Sequence, residues 1–172
     1  MITRKKFGKI LTAILALTII IGGVFGVGMI AGAEEGALAL EYANVNYGEQ
    51  ISLVFTITGE GDNVGIAVYA SEDAKNPMYA TNEAKGDEVV YYETFGIAAK
   101  DIDTTYYVAV ATFDEDGRFV EAVSERIAYS VAAYANARLA DENATPAQKH
   151  LYNTILAYGA AANALFGEAI NK

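Results

Sequence analysis

Apolar residues recur with three different periods along this chain, and each period predicts a different kind of element. From Ile10 to Ile30 the chain is uncharged and almost continuously apolar. From Leu38 to about Tyr129, apolar and polar positions alternate with period two, β-formers dominate, and Gly, Asn and Asp break the pattern every ~8–12 residues. That pattern predicts an antiparallel sandwich or barrel. Its expected strands are Leu38–Asn46, Gln50–Thr58, Val64–Ala70, Glu88–Phe95, Thr104–Phe113 and Arg118–Ile127. Gly59-Glu60-Gly61-Asp62-Asn63 reads as a turn, and Asn76-Pro77 as a loop or edge position.

The clearest local unit is a hairpin. The strand from Thr105 to Ala111 returns from Phe119 to Val123 through Asp114-Glu115-Asp116-Gly117, with Gly117 in the left-handed position that closes the loop. Tyr106, Val108 and Val110 share the face expected in the core; Tyr107, Ala109 and Ala111 share the other.

After Tyr129 the period becomes helical. Ser130–Leu139 predicts one helix, and Asp141-Glu142-Asn143 a polar break. A second helix then begins with Thr145 as N-cap, Pro146 at the first position and Gln148 as capping-box partner. Leu151, Ile155, Tyr158, Ala162 and Leu165 form its apolar stripe, opposite Lys149, Asn153 and Asn163. Ala157, Gly159, Ala160, Ala161 and Ala162 permit close approach to the first helix, the β-domain or another subunit.

Charge places these parts relative to a membrane. Arg4, Lys5, Lys6 and Lys9 precede the apolar run, and Ala31-Gly32-Ala33 follows it, the layout of a secretory signal with cleavage after Ala33. Residues 10–30 are also long enough to cross a hydrocarbon core of ~30 Å, so an uncleaved chain would be anchored with its acidic part outside. Cleavage is favoured, because Gly22, Gly23, Gly26 and Gly28 weaken the second half of the helix. The expected organisation is a signal or anchor over 1–33, a linker over 34–37, a β-domain over 38–129 and a helical tail over 130–172. The protein is expected to be secreted or at the cell surface.

Beyond Ala33 the chain carries 8 basic and 22 acidic residues, a net −14. A body of that sign repels phosphate backbones and anionic headgroups, which argues against nucleic-acid binding. The chain has no cysteine. Disulfides, thiolate metal sites, thiol catalysis and a lipidated cysteine are therefore excluded, and stability must come from packing.

Little in the sequence suggests catalysis. The one histidine, His150, sits in the first turn of the last helix and reads as a solvated residue. Glycoside hydrolysis needs two placed carboxylates, and no pair stands out among the many present. Asp114 and Asp116, with Glu115, or Asp101 and Asp103, offer oxygen ligands for calcium, but a plain hairpin turn is favoured because the EF-hand series is missing. Twelve tyrosines suggest an aromatic platform for a saccharide, with Tyr92 and Tyr107 as the outward members of Tyr91-Tyr92 and Tyr106-Tyr107. Core and cross-strand packing is the preferred reading of these rings. No cofactor is expected.

The stretch IAAKDIDTTYYVAVATFDEDG, from Ile97 to Gly117, has a Tyr-x-Val-x-Val strand and an Asp-rich turn, and it resembles the late strands of fibronectin type III and other immunoglobulin-like sandwiches. The continuations YSVAAYANARLAD and LYNTILAYGAAANALF look like a C-terminal extension of secreted and surface proteins of Gram-positive bacteria. The chain departs from fibronectin type III in lacking a tryptophan near the start and a Leu-x-Pro before the tyrosine, and in ending in helices. The resemblance implies a mainly β fold: an antiparallel immunoglobulin-like sandwich of about seven strands with a C-terminal helical hairpin. It also implies a non-catalytic interaction or structural module whose partner is an extracellular protein or polysaccharide. A carbohydrate-active or other hydrolytic accessory enzyme and a calcium-dependent binding module are the alternatives, and self-association through the last helix is a further expectation.

Overall fold

Alternating burial divides the β-region into two antiparallel sheets, and the helical tail lies against them. The computed structural model describes residues 37–167. Its strands are β1 (Ala39–Tyr47), β2 (Ile51–Thr58), β3 (Val64–Tyr69), β4 (Tyr79–Thr81), β5 (Ala84–Lys85), β6 (Tyr91–Glu93), β7 (Tyr106–Phe113), β8 (Phe119–Ala122) and β9 (Ile127–Tyr129). A short 3-10 turn, Ala99–Asp101, precedes β7, and two helices follow, α1 (Val131–Ala140) and α2 (Pro146–Gly167). One sheet has the order β1-β2-β6-β5; the other has the order β4-β3-β7-β8, with β9 also paired to β7. The expectations for residues 1–33, including cleavage at Ala31 and Ala33 and a membrane helix over 10–30, lie outside the described residues. Among the described residues, no helix is long and apolar enough to cross a membrane.

The inward positions of both sheets form one core. Val45, Leu53, Phe55, Ile66, Val68, Val108 and Val110 are fully buried there. Removing each such side chain from water contributes about 1.5–3 kcal/mol. Tyr106, Val108 and Val110 face inward, as the alternation predicts. Ala109 and Ala111, on the opposite face, are equally buried, in a second cluster with Ala67, Tyr69 and Phe113. The chain after β4 explains part of this cover. A Cβ on Gly65 would lie 2.1 Å from the Thr81 carbonyl oxygen and 2.6 Å from Asn82 Cα, so the backbone passes directly over that sheet.

Two expected strands change and two strands were not expected. The segment Arg118–Ile127 divides into β8 and β9, because Val110 N–H donates to Ser124 Oγ at 2.9 Å rather than to a neighbouring carbonyl. Glu88–Phe95 shortens to β6. Strands β4 and β5, of three and two residues, are too short for any period to reveal.

The helices are capped much as their sequence suggests. Ser130 Oγ accepts from Ala133 N–H at 3.0 Å, so Ser130 is the N-cap of α1 rather than its first helical residue. At α2 the capping box is reciprocal: Gln148 N–H donates to Thr145 Oγ1 at 3.2 Å, and Thr145 N–H donates to Gln148 Oε1 at 2.8 Å. The buried side of α2 is narrower than the apolar stripe. Tyr152, Ile155 and Ala162 are buried, whereas Leu151, Tyr158 and Leu165 are 42%, 62% and 69% exposed. The approach point sets this rotation. Gly159 lies against Ile102, just after the 3-10 turn, and a Cβ there would stand 2.0 Å from Ile102 Cδ1.

Tyrosines join the tail to the β-domain. Tyr47 of β1 packs on Tyr134 of α1 and Tyr152 of α2 with ring centroids 6.4 Å apart in each case, and Tyr134 meets Tyr152 edge-on at 5.9 Å. Burial first, and the neighbouring phenol second, push the Tyr47 and Tyr134 hydroxyls far above their usual range.

Gly159 tests this packing, because glycine to alanine inside a helix ordinarily stabilises by about 1 kcal/mol. Here Gly159→Ala is expected to destabilise by about 1–3 kcal/mol through overpacking on Ile102. Urea unfolding of the two proteins measures the difference, and a gain in stability would show that α2 does not approach so closely.

Candidate binding site

The outward face of the first sheet gathers polar side chains by simple register. With Leu53 and Phe55 turned into the core, Ser52, Val54 and Thr56 point outward. Asn46 pairs with Ser52 across β1 and β2, and Val54 pairs with Glu93 across β2 and β6. Lys85 of β5 pairs with Tyr91, one step along the same face. Three of these polar residues, Asn46, Ser52 and Lys85, converge on the carboxylate of Glu93. Glu93 Oε1 accepts from Asn46 Nδ2 at 2.9 Å and from Ser52 Oγ, while Oε2 accepts from Lys85 Nζ at 2.6 Å.

The strand ending beside Glu93 opens a cavity. Thr94 Oγ1 accepts the Leu53 N–H at 3.0 Å, taking the place of a backbone carbonyl, and the chain then leaves the regular ladder. Gly96 follows, and a Cβ there would sit 1.8 Å from Gln50 Oε1, so glycine makes room for that amide. The cavity holds about 310 Å³ and is lined by Asn46, Glu49, Gln50, Ser52, Lys85, Glu93, Thr94, Phe95 and Gly96.

Partial burial opposes the charge on Glu93, but the hydrogen bonds from Lys85, Ser52 and Asn46 outweigh it and hold the carboxyl below its ordinary value. The hydrogen bond to Glu93 likewise raises the Lys85 ammonium. The pair is therefore ionised at neutral pH. A carboxylate held this way is a poor proton donor, since a general acid needs a raised pKa. It is a good fixed acceptor.

The residues singled out from sequence are not brought together. Tyr92 is a correction: it is 7% exposed, because its partner in register is Phe55 and both rings face the core. Tyr107 is half-buried on the other sheet, beside Tyr69, whose ring lies 3.5 Å under the Arg126 guanidinium. Asp114 works within its own turn, Oδ1 accepting from Asp116 N–H at 3.0 Å and Arg118 N–H at 2.8 Å. Asp116 pairs with Arg118 at 3.0 Å, and Asp101 with Lys100 at 2.7 Å. Among the described residues, no group of three or more His, Asp or Glu is placed to hold a metal ion. His150 is exposed on α2.

Sequence reasoning missed the Glu93 cluster. The alternation in β1 and β2 contains the signal for Asn46 and Ser52 facing outward, but no local pattern brings Glu93 and Lys85 beside them. Comparison of the chain with family models, with curated proteins and with solved structures finds no match. The chemistry of the site alone therefore carries the functional argument.

Glu93 makes a directional prediction with acid. A lowered folded-state pKa adds stability that is complete above the ordinary glutamate value and is lost as pH falls through the lowered one. Between about pH 5 and about pH 3, Glu93→Gln is expected to lose less melting temperature than the parent protein. Parallel slopes for the two proteins would mean that the Glu93 charge contributes nothing.

Proposed function

We propose that this protein is a non-catalytic, extracytoplasmic binding module that recognises a polysaccharide through the Glu93 cavity. The observation that carries this reading is the mixed polar wall around one fixed carboxylate. Glu93 and Glu49 accept hydrogen bonds, Lys85 donates them, the side-chain amides of Asn46 and Gln50 do both, and Phe95 supplies an apolar surface. Sugars present the matching chemistry: hydroxyls that donate and accept in alternation around an apolar ring. A neutral sugar also meets no electrostatic barrier on a body of net charge −14. The ionised Glu93–Lys85 pair supports binding over hydrolysis, because neither group is poised to deliver a proton to a leaving oxygen.

The finer fold belongs to this proposal. We read the domain as an immunoglobulin-like sandwich, and the strand order supports it. β1, β2, β6 and β5 correspond to strands A, B, E and D, while β3, β7 and the β8–β9 pair correspond to C, F and G, with β4 as an added edge. Tyr106 stands at the start of the F-equivalent strand, the position of the tyrosine corner. Export rests on the basic start, apolar run and Ala-x-Ala triplet of residues 1–33. The chain recovered from culture medium is expected to begin at Glu34; full-length chain confined to membranes would instead mean a tethered module.

Binding is tested by titrating soluble oligosaccharides prepared from bacterial walls and following amide and side-chain shifts by NMR. Shifts are expected at Asn46, Gln50 and Lys85. Gln50→Ala is expected to weaken affinity about tenfold, equivalent to about 1.4 kcal/mol, while leaving the melting temperature unchanged. Saturating sugar that shifts none of these residues would overturn the reading.

A further inference from the structure

The exposed side of α2 carries a second period that the β-domain does not use. Leu151, Tyr158 and Leu165 recur every seven residues, and Thr154 and Ala161 fall between them at the complementary heptad spacing. All five are exposed, the three large ones at 42%, 62% and 69%. Isolated apolar residues on a surface are ordinary, but a heptad seam along a helix of 22 residues, about 33 Å long, is built to meet another helix.

Two features identify that helix as α2 of a second copy, running antiparallel. The first is shape. Large residues occupy one heptad position and small ones the other, and antiparallel pairing sets one position against the other, so Tyr158 and Leu165 each meet a small side chain. Tyr158 then lies over the partner's Ala161, and Leu165 over the partner's Thr154. Parallel pairing would stack large on large and leave gaps at the small layers.

The second feature is charge. Residues 143–167 contain no Asp or Glu, although the chain beyond Ala33 has net charge −14, so copies approaching through α2 avoid much of their mutual repulsion. Antiparallel pairing also sets Lys149, in the first turn, beside the negative dipole end of the facing helix. We infer that the protein self-associates as an antiparallel dimer through the Leu151, Tyr158 and Leu165 face of α2. This inference is independent of the sugar-binding proposal, because the Glu93 cavity lies on β-strands.

The absence of native cysteine allows a direct test. Full-length chains bearing Tyr158→Cys and Ala161→Cys, carrying different tags, are co-expressed and mildly oxidised. A second pair bears Thr154→Cys and Leu165→Cys. Both pairs are expected to give a disulfide-linked species of twice the mass of the unlinked chain that carries both tags. Val120→Cys, at a 56% exposed position on β8, and Leu151→Cys are each expected to give no disulfide-linked species. Circular dichroism verifies that every variant is folded. Cross-linking of both pairs no greater than that of Val120→Cys would overturn the dimer, as would a linked product of another mass. Self-linking of Leu151→Cys would overturn the antiparallel arrangement.

Discussion

The register of β2 is the constraint on which most of this molecule depends. Leu53 and Phe55 have no exposure at all, and they lie between two neighbours, β1 and β6, on the same sheet. A slip of one residue would turn Ser52 and Thr56 into the apolar core and carry both apolar side chains to the outward face. The core thereby fixes the outward face as well. Val54 stands opposite Glu93, and Asn46 opposite Ser52, only while Phe55 stands opposite Tyr92. The polar cavity is the reverse side of the hydrophobic decision.

A chain without cysteine must attach its tail to the β-domain by packing. Tyr47, Tyr134 and Tyr152 do this with tilted and edge-on rings from three separate elements, and Ile102 meets Gly159 at a second point. Aromatic pairs of this geometry contribute about 0.5–1.5 kcal/mol beyond their buried area. Within the tail, Arg138 pairs with Asp141 at 2.9 Å across the C-terminal end of α1. Two anchors along one helix fix its rotation. That is why the outer half of the apolar stripe stays in water while Ile155 and Ala162 do not.

Much of the architecture was legible in the sequence, and the reasons for the rest are physical. Long strands with regular alternation, such as β2 and β7, were visible because each residue repeats the same inside-or-outside choice. The capping box of α2 was visible because Thr145, Pro146 and Gln148 are local chemistry. Strands β4 and β5 escaped because they exist only through their partners. Tyr92 was assigned to the wrong face because an adjacent pair of rings says that one points inward, but not which one. The Glu93 cluster joins residues of β1, β2, β5 and β6, and its geometry belongs to strand pairing rather than to any single segment.

The Ser124 hydroxyl that divides β8 from β9 also decides how this sheet ends. An uninterrupted strand at that border would present a row of free amides and carbonyls to any passing chain. Here the row is cut into pieces of four and three residues, and a side chain occupies the gap. On the other sheet one border is β5, two residues long and bearing Lys85, and the opposite border is β1, nine residues long. The β5 and β8–β9 borders therefore offer only short templates for pairing with another chain, and β1 is the long edge strand among the described residues.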